Sequence, residues 1–168
     1  MSDESEVGPE RRQLLTQDVM QRTGIDEAMI GRLVHAFYGA VRADAMLGPI
    51  FGARIADWDL HLGRMCDFWS SVALMTGRYH GRPMPPHMRM GLERDHFDRW
   101  LALFEATARR ECPPAAAAHF VERAHRIAES FELGIAVHQG RTPLPARRPR
   151  ADWIEAAAAQ GPAGITTS

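Results

Sequence analysis

Apolar side chains at Ile25, Met29, Leu33, Phe37 and Val41 return every four residues, with Ile30, Val34 and Tyr38 beside them. That spacing predicts a helix from Ile25 to Arg42 with one wide apolar face. Gly48-Pro49 breaks it, and Pro49-Ile50-Phe51-Gly52 predicts a corner that turns Phe51 inward, because so large a ring is costly to leave in water. A second helix is expected from Trp58 to Met75, where His61, Met65, Phe68 and Val72 fall at i, i+4, i+7 and i+11 on a single stripe.

Between Thr76 and Pro86 the run TGRYHGRPMPP holds two glycines and three prolines in 11 residues, so regular structure fails there. Helical pattern resumes from Asp95, where Phe97, Trp100, Leu101 and Phe104 share a face, and it ends near Cys112-Pro113-Pro114. The alanine run 115–118 opens a last long helix whose buried side is read as Phe120, Ala124, Ile127, Phe131 and Leu133 or Gly134. No alternating strand and no internal repeat is found. The pattern predicts an all-α domain over residues 25–140, flanked by an N-terminal extension, 1–24, and a Pro/Arg/Ala-rich C-terminal tail, 141–168, expected to be flexible.

Composition narrows the class. The chain has 168 residues, 45% of them apolar and 24% charged, as expected for one globular domain with room for a cofactor. No apolar run reaches the roughly 20 residues that span a bilayer, and MSDESEVGPERRQLL is acidic where a signal peptide is basic and then apolar. These features point away from the membrane and toward the cytoplasm. All 20 basic residues are arginines, yet the formal net charge is −1, so nothing at whole-chain level suggests nucleic acid. Cys66 and Cys112 lie far apart without a CxxC and are read as buried thiols.

Candidate chemistry gathers at histidines. In Arg82-Pro83-Met84-Pro85-Pro86-His87-Met88-Arg89-Met90 the proline pair suits a first helical turn, which would hold His87 rigidly. On these residues alone His87 is either a partly exposed residue near a helix start or a metal ligand. Met84, Met88 and Met90 are either core filler or the apolar bed of a large flat cofactor. His61 sits on a buried stripe, where it either satisfies a core hydrogen bond or faces a ligand. Tyr38 and Trp100 each bring one O–H or N–H donor to an otherwise apolar face and need a partner. The other histidines show no HxxxH or HExxH spacing, and no GxGxxG, GxxxxGK[ST] or GxSxG motif appears.

Taken together, Phe37-Tyr38 followed by VRADAMLGPIF, Trp58-Asp59-Leu60-His61 leading to Asp67-Phe68-Trp69, then GRYHGRPMPPH and HFDRWLALFEAT, resemble the truncated haemoglobins, most closely group III, over residues 25–140. The resemblance implies a globin-like two-over-two helical sandwich enclosing haem b (protohaem IX) with its iron, in which the segment bearing the proximal ligand is reduced to a loop and a short turn. By position in those motifs His87 matches the proximal iron ligand, Tyr38 and Trp100 the polar distal residues, and His61 the distal-helix position that faces a bound ligand. Phe51 matches the phenylalanine that packs on the haem face, with Met65, Phe68 and Trp69 along the same wall. Tyr79, Arg82, Met84 and Met88 are added as cofactor contacts, Arg82 and Arg89 being candidates for the propionates, with His80 nearby.

The implied function is binding of O2, with NO, CO, cyanide or sulfide as further ligands. Two alternatives remain at this stage: a redox enzyme performing NO dioxygenation or peroxide chemistry with an electron-donating reductase, and a haem-free helical interaction module.

Overall fold

The computed structural model describes residues 7–142, so the tail from residue 143 onward, including RTPLPARRPR beyond its second residue, lies outside the described residues. Among the described residues seven helices follow in order: α1 Val7–Thr23, α2 Glu27–Ala43, α3 Leu47–Arg54, α4 Trp58–Leu74, α5 Met84–Met88, α6 Arg94–Glu111 and α7 Pro114–His138. The described residues are helical or irregular, with no strand among them, as the periodicity predicted. No helix among them is long and apolar enough to cross a membrane.

Local chemistry explains the boundaries. Asp26 starts α2 by accepting from Met29 N at 2.8 Å, and Asp57 starts α4 by accepting from Leu60 N at 3.0 Å, each satisfying an amide that the first turn leaves unpaired. Glu93 and His96 form a reciprocal capping box at the start of α6. Pro113-Pro114 ends the approach to α7 and begins that helix, since proline loses nothing at a first turn.

The core is built where α2 meets α4 and α6, and where α6 packs on α7. Ile30, Leu33, Val34, Phe37 and Val41 of α2 are almost fully buried there, with Trp69, Phe104 and Phe120 from the other three helices. Trp69 stacks on Phe104 at a centroid distance of 4.7 Å and meets Phe120 edge-on at 6.1 Å. Such aromatic pairs add to the burial of the rings themselves.

The segment ahead of Ile25 is helical from Val7 and lies across α4 and α7. Val19 on it is buried, and the Thr16 hydroxyl donates to the Leu74 carbonyl, one of the unpaired acceptors at the end of α4.

Three local expectations change. The corner at Pro49–Gly52 lies inside the eight-residue helix α3. Proline at its third position has no N–H and so needs no acceptor, and the Asp44 carboxylate accepts from Met46 N and Leu47 N, both at 3.0 Å, in place of a helical partner. On α7 Leu133 is 52% exposed, whereas Ile135 is buried. The stripe Phe120, Ala124, Ala128 and Phe131 continues to Ile135, and Leu133 lies on the far side of that register. Cys112 is a buried free thiol as expected, but Cys66 is only half-buried.

Candidate functional site

The aromatic core opens into a cavity of about 820 Å³, counted with its mouth, between α2, α3, α4, the α5 segment, α6 and α7. Its wall is overwhelmingly apolar. Tyr38, Phe51, His61, Met65, Phe68, Trp69, His87 and Trp100 all line it, so the structure brings together eight of the residues singled out from the sequence.

The first wall is aromatic and carries donors. α2 places Tyr38 beside Phe37, and α6 places Trp100 edge-on to Phe37 with centroids 5.5 Å apart. Trp100 also stacks on Phe104 of its own helix at 5.5 Å. His61 of α4 stands edge-on to Tyr38 at 5.0 Å, and Phe51 of α3 closes on Tyr38 at 6.0 Å. Trp58 packs against both Tyr38 and His61 and carries the Arg42 guanidinium on its outer face at 4.4 Å.

Burial sets the protonation states here. It pushes the Tyr38 phenol well above its ordinary value, so the hydroxyl keeps its proton and can donate. His61 is pushed down by burial first, then by the charges of Arg64 and His87, which favours neutral imidazole. Its Nε2 is buried with no hydrogen-bond partner. A buried polar atom left unpaired costs on the order of 1–3 kcal/mol.

The opposite chemistry is supplied by the segment after α4. His87 is the fourth residue of α5, and its Nδ1 bonds to the Pro83 carbonyl. A carbonyl can only accept, so Nδ1 carries the proton and the Nε2 lone pair is left free. Burial holds the His87 pKa below the ordinary histidine value in spite of that bond, keeping the ring neutral and ligand-competent. Phe131 of α7 packs on the ring at 4.6 Å and limits its rotation.

The remaining nominated residues stand elsewhere. Met84 turns away to α7, where a Cβ on Gly134 would come within 2.9 Å of its Cε. Met88 is half-buried against the core, and Arg82 is exposed. Tyr79 meets the cavity only through Phe68, edge-on at 5.3 Å, and a Cβ on Gly81 would run into its ring.

Met90, the third methionine of the His87 segment, does line the cavity, and the wall is completed by Leu47, Pro83, Leu92, His96, Phe97, Ile127, Ala128 and Phe131. The stripes of α6 and α7 marked Phe97, Ile127 and Phe131 as buried but did not say that the space they face is a cavity. His96 carries the one polar ring that sequence reasoning left aside. Its Nδ1 accepts from Glu93 N at 2.9 Å, and this capping pattern, an acidic residue three positions before a histidine at a helix start, was the available signal.

No protein-family model matches the chain. A group 3 truncated haemoglobin from Campylobacter jejuni is 31% identical over an alignment of 113 residues that covers 64% of this chain and 89% of that protein. The crystal structure of a group III truncated haemoglobin from Campylobacter jejuni aligns with a TM-score of 0.61 at 31% identity, covering 64% of this chain and 88% of the other.

Proposed function

Since the chain belongs to the truncated haemoglobins of group III, we propose that it binds O2 at a haem held by His87, with Tyr38, Trp100 and His61 acting on the ligand. The observation that carries this reading is one apolar cavity holding a neutral His87, with its Nε2 free, and a His61 Nε2 left without a partner. These residues fit haem. A flat apolar ring system matches walls made of Phe51, Met65, Phe68, Phe97, Ile127 and Phe131, and an imidazole nitrogen is an ordinary axial ligand. When bound, the haem supplies an iron with an open coordination position and redox capacity.

The chain's own residues do the rest. His87 is oriented by Pro83 and Phe131. Tyr38 keeps its proton and offers it as a donor, and the Trp100 indole N–H can offer a second. His61 supplies a third polar group, and the Phe37, Phe51 and Phe104 rings exclude water, which strengthens each of these hydrogen bonds. Two donors and a third polar group around one ligand favour holding it over quick release. That arrangement supports a second reading, in which bound haem would serve the oxidation of NO by O2 to nitrate, each turnover taking one electron from a reductase.

The setting we propose is the cytoplasm. Ultraviolet-visible spectra of the purified protein in ferric, ferrous and O2-exposed forms test the main reading. A strong Soret band that weakens or moves in His87→Ala is expected; a colourless protein that takes up no added haem would refute it. O2-dependent NO consumption with a reductase decides the second reading.

A further inference from the structure

The three helices that carry Tyr38, Phe51 and Trp100 are joined by a single carboxylate. Asp44 ends α2, where its N–H bonds to Val41 O at 3.1 Å. Its Oδ1 accepts from Met46 N and Leu47 N, both at 3.0 Å, at the start of α3. Its Oδ2 accepts from Arg99 of α6, with Nε and one Nη each 2.6 Å away. Only 4% of the Asp44 side chain is exposed, against 48% of Arg99, so the acid is inside and its cation reaches in from the surface.

We propose that Asp44 and Arg99 are positioning residues for the donor wall of the cavity, fixing α6 against the α2–α3 corner so that Trp100 and Tyr38 meet the same ligand. The inference rests on the reading of Tyr38 and Trp100 given above.

Trp100 touches Phe37 edge-on and stacks on Phe104, contacts that tolerate sliding because dispersion is not directional. Charge-assisted hydrogen bonds to a buried oxygen do not tolerate it. Arg99 immediately precedes Trp100, so fixing its guanidinium fixes the register of α6 at the residue that matters. The corner on the other side is tight: a Cβ on Gly48 would lie 2.8 Å from Arg42 O. Little slack therefore separates Asp44 from Leu47 and Phe51, both of which line the cavity.

The test compares the infrared CO stretch, which reports polarity around the ligand, with the iron–histidine stretch, which reports the His87 side, in the ferrous CO and ligand-free forms. Asp44→Asn keeps an acceptor for the α3 amides while weakening the Arg99 pair, and Arg99→Met removes the pair from the half-exposed side if Asp44→Asn does not fold. Both are expected to shift or broaden the CO band and speed O2 release about two- to tenfold, with the iron–histidine band unmoved and Arg99→Lys partly restoring the wild-type band. Trp100→Phe serves as the control. A shift in Trp100→Phe beside unchanged bands in Asp44→Asn and Arg99→Met overturns the positioning role alone, as does an iron–histidine band that moves together with the CO band. An unmoved band in Trp100→Phe overturns the donor reading and the positioning role with it.

Discussion

Tyr38 and His61 stand edge to face, their ring centroids 5.0 Å apart and their planes at 88°, and the His61 Nε2 buried beside them has no hydrogen-bond partner. One ring keeps its proton because burial opposes ionisation, and the other stays neutral for the same reason. The pair thus offers hydrogen bonds without net charge, an arrangement that stabilises a small ligand carrying partial negative charge in a water-excluded pocket.

Removing those donors should loosen the ligand. A hydrogen bond to a charged or strongly polarised partner is worth roughly 1.5–3 kcal/mol, so Tyr38→Phe or Trp100→Phe is expected to speed O2 release about ten- to a hundredfold. Stopped-flow displacement of O2 by CO measures the rate. Unchanged off-rates in both variants would mean that neither side chain reaches the ligand.

Much of this arrangement was legible before any coordinates. The four-residue rhythm of Ile25 to Val41 located α2, and the His61 to Val72 stripe located α4 to within a residue at its end. What escaped was short or depended on contact. α3 was hidden because Gly48-Pro49 reads as a break, and only the Asp44 carboxylate, acting through space, turns it into a helix start. Met84 and Met88 were nominated for standing beside His87 in sequence. The irregular stretch before α5 aims Met84 at Gly134 instead, a direction that periodicity cannot supply. Phe131 was legible as part of the inward stripe of α7, where it is half-buried, but its contact with His87 joins residues 44 apart and needed the fold.

That contact makes Phe131 a support for the His87 ring. Phe131→Ala should leave His87 free to rotate and open the wall behind it, at a cost of about 3 kcal/mol or less because the ring is only half-buried. The expected result is faster haem transfer to an acceptor apoglobin and a broadened iron–histidine band, with the CO stretch little changed. Haem loss at the wild-type rate would show that Pro83 alone orients the ring.

Two glycines separate packing from helix propensity. At Gly48 a Cβ would lie 2.8 Å from the backbone oxygen of Arg42, which cannot swing aside, so Gly48→Ala should destabilise by about 1–3 kcal/mol. Gly39, inside α2 and exposed, has nothing within 4 Å of that position. Gly39→Ala should therefore stabilise by about 0.5–1 kcal/mol through helix propensity alone. Urea unfolding of both variants checks the pair, and equal effects of one sign would contradict the tight α2–α3 corner.

Acid should weaken the protein through His119, which is not among the residues lining the cavity. Its Nε2 donates to Ala73 O at 2.9 Å, joining α7 to the end of α4. Burial lowers its pKa, assisted by the Arg123 and Arg22 charges and opposed by the Ala73 bond and Glu122. The folded value thus lies below the unfolded one of about 6.5. Above about pH 6.5 both states are neutral and the contribution is complete. As the pH falls below that point the unfolded chain takes up a proton that the folded chain resists, so stability declines until the folded value is reached and then levels off. His119→Gln keeps an N–H donor for Ala73 but does not titrate. Between about pH 7.5 and 5 its unfolding free energy should therefore fall less steeply than that of the wild type. Parallel curves would assign the acid sensitivity to other groups.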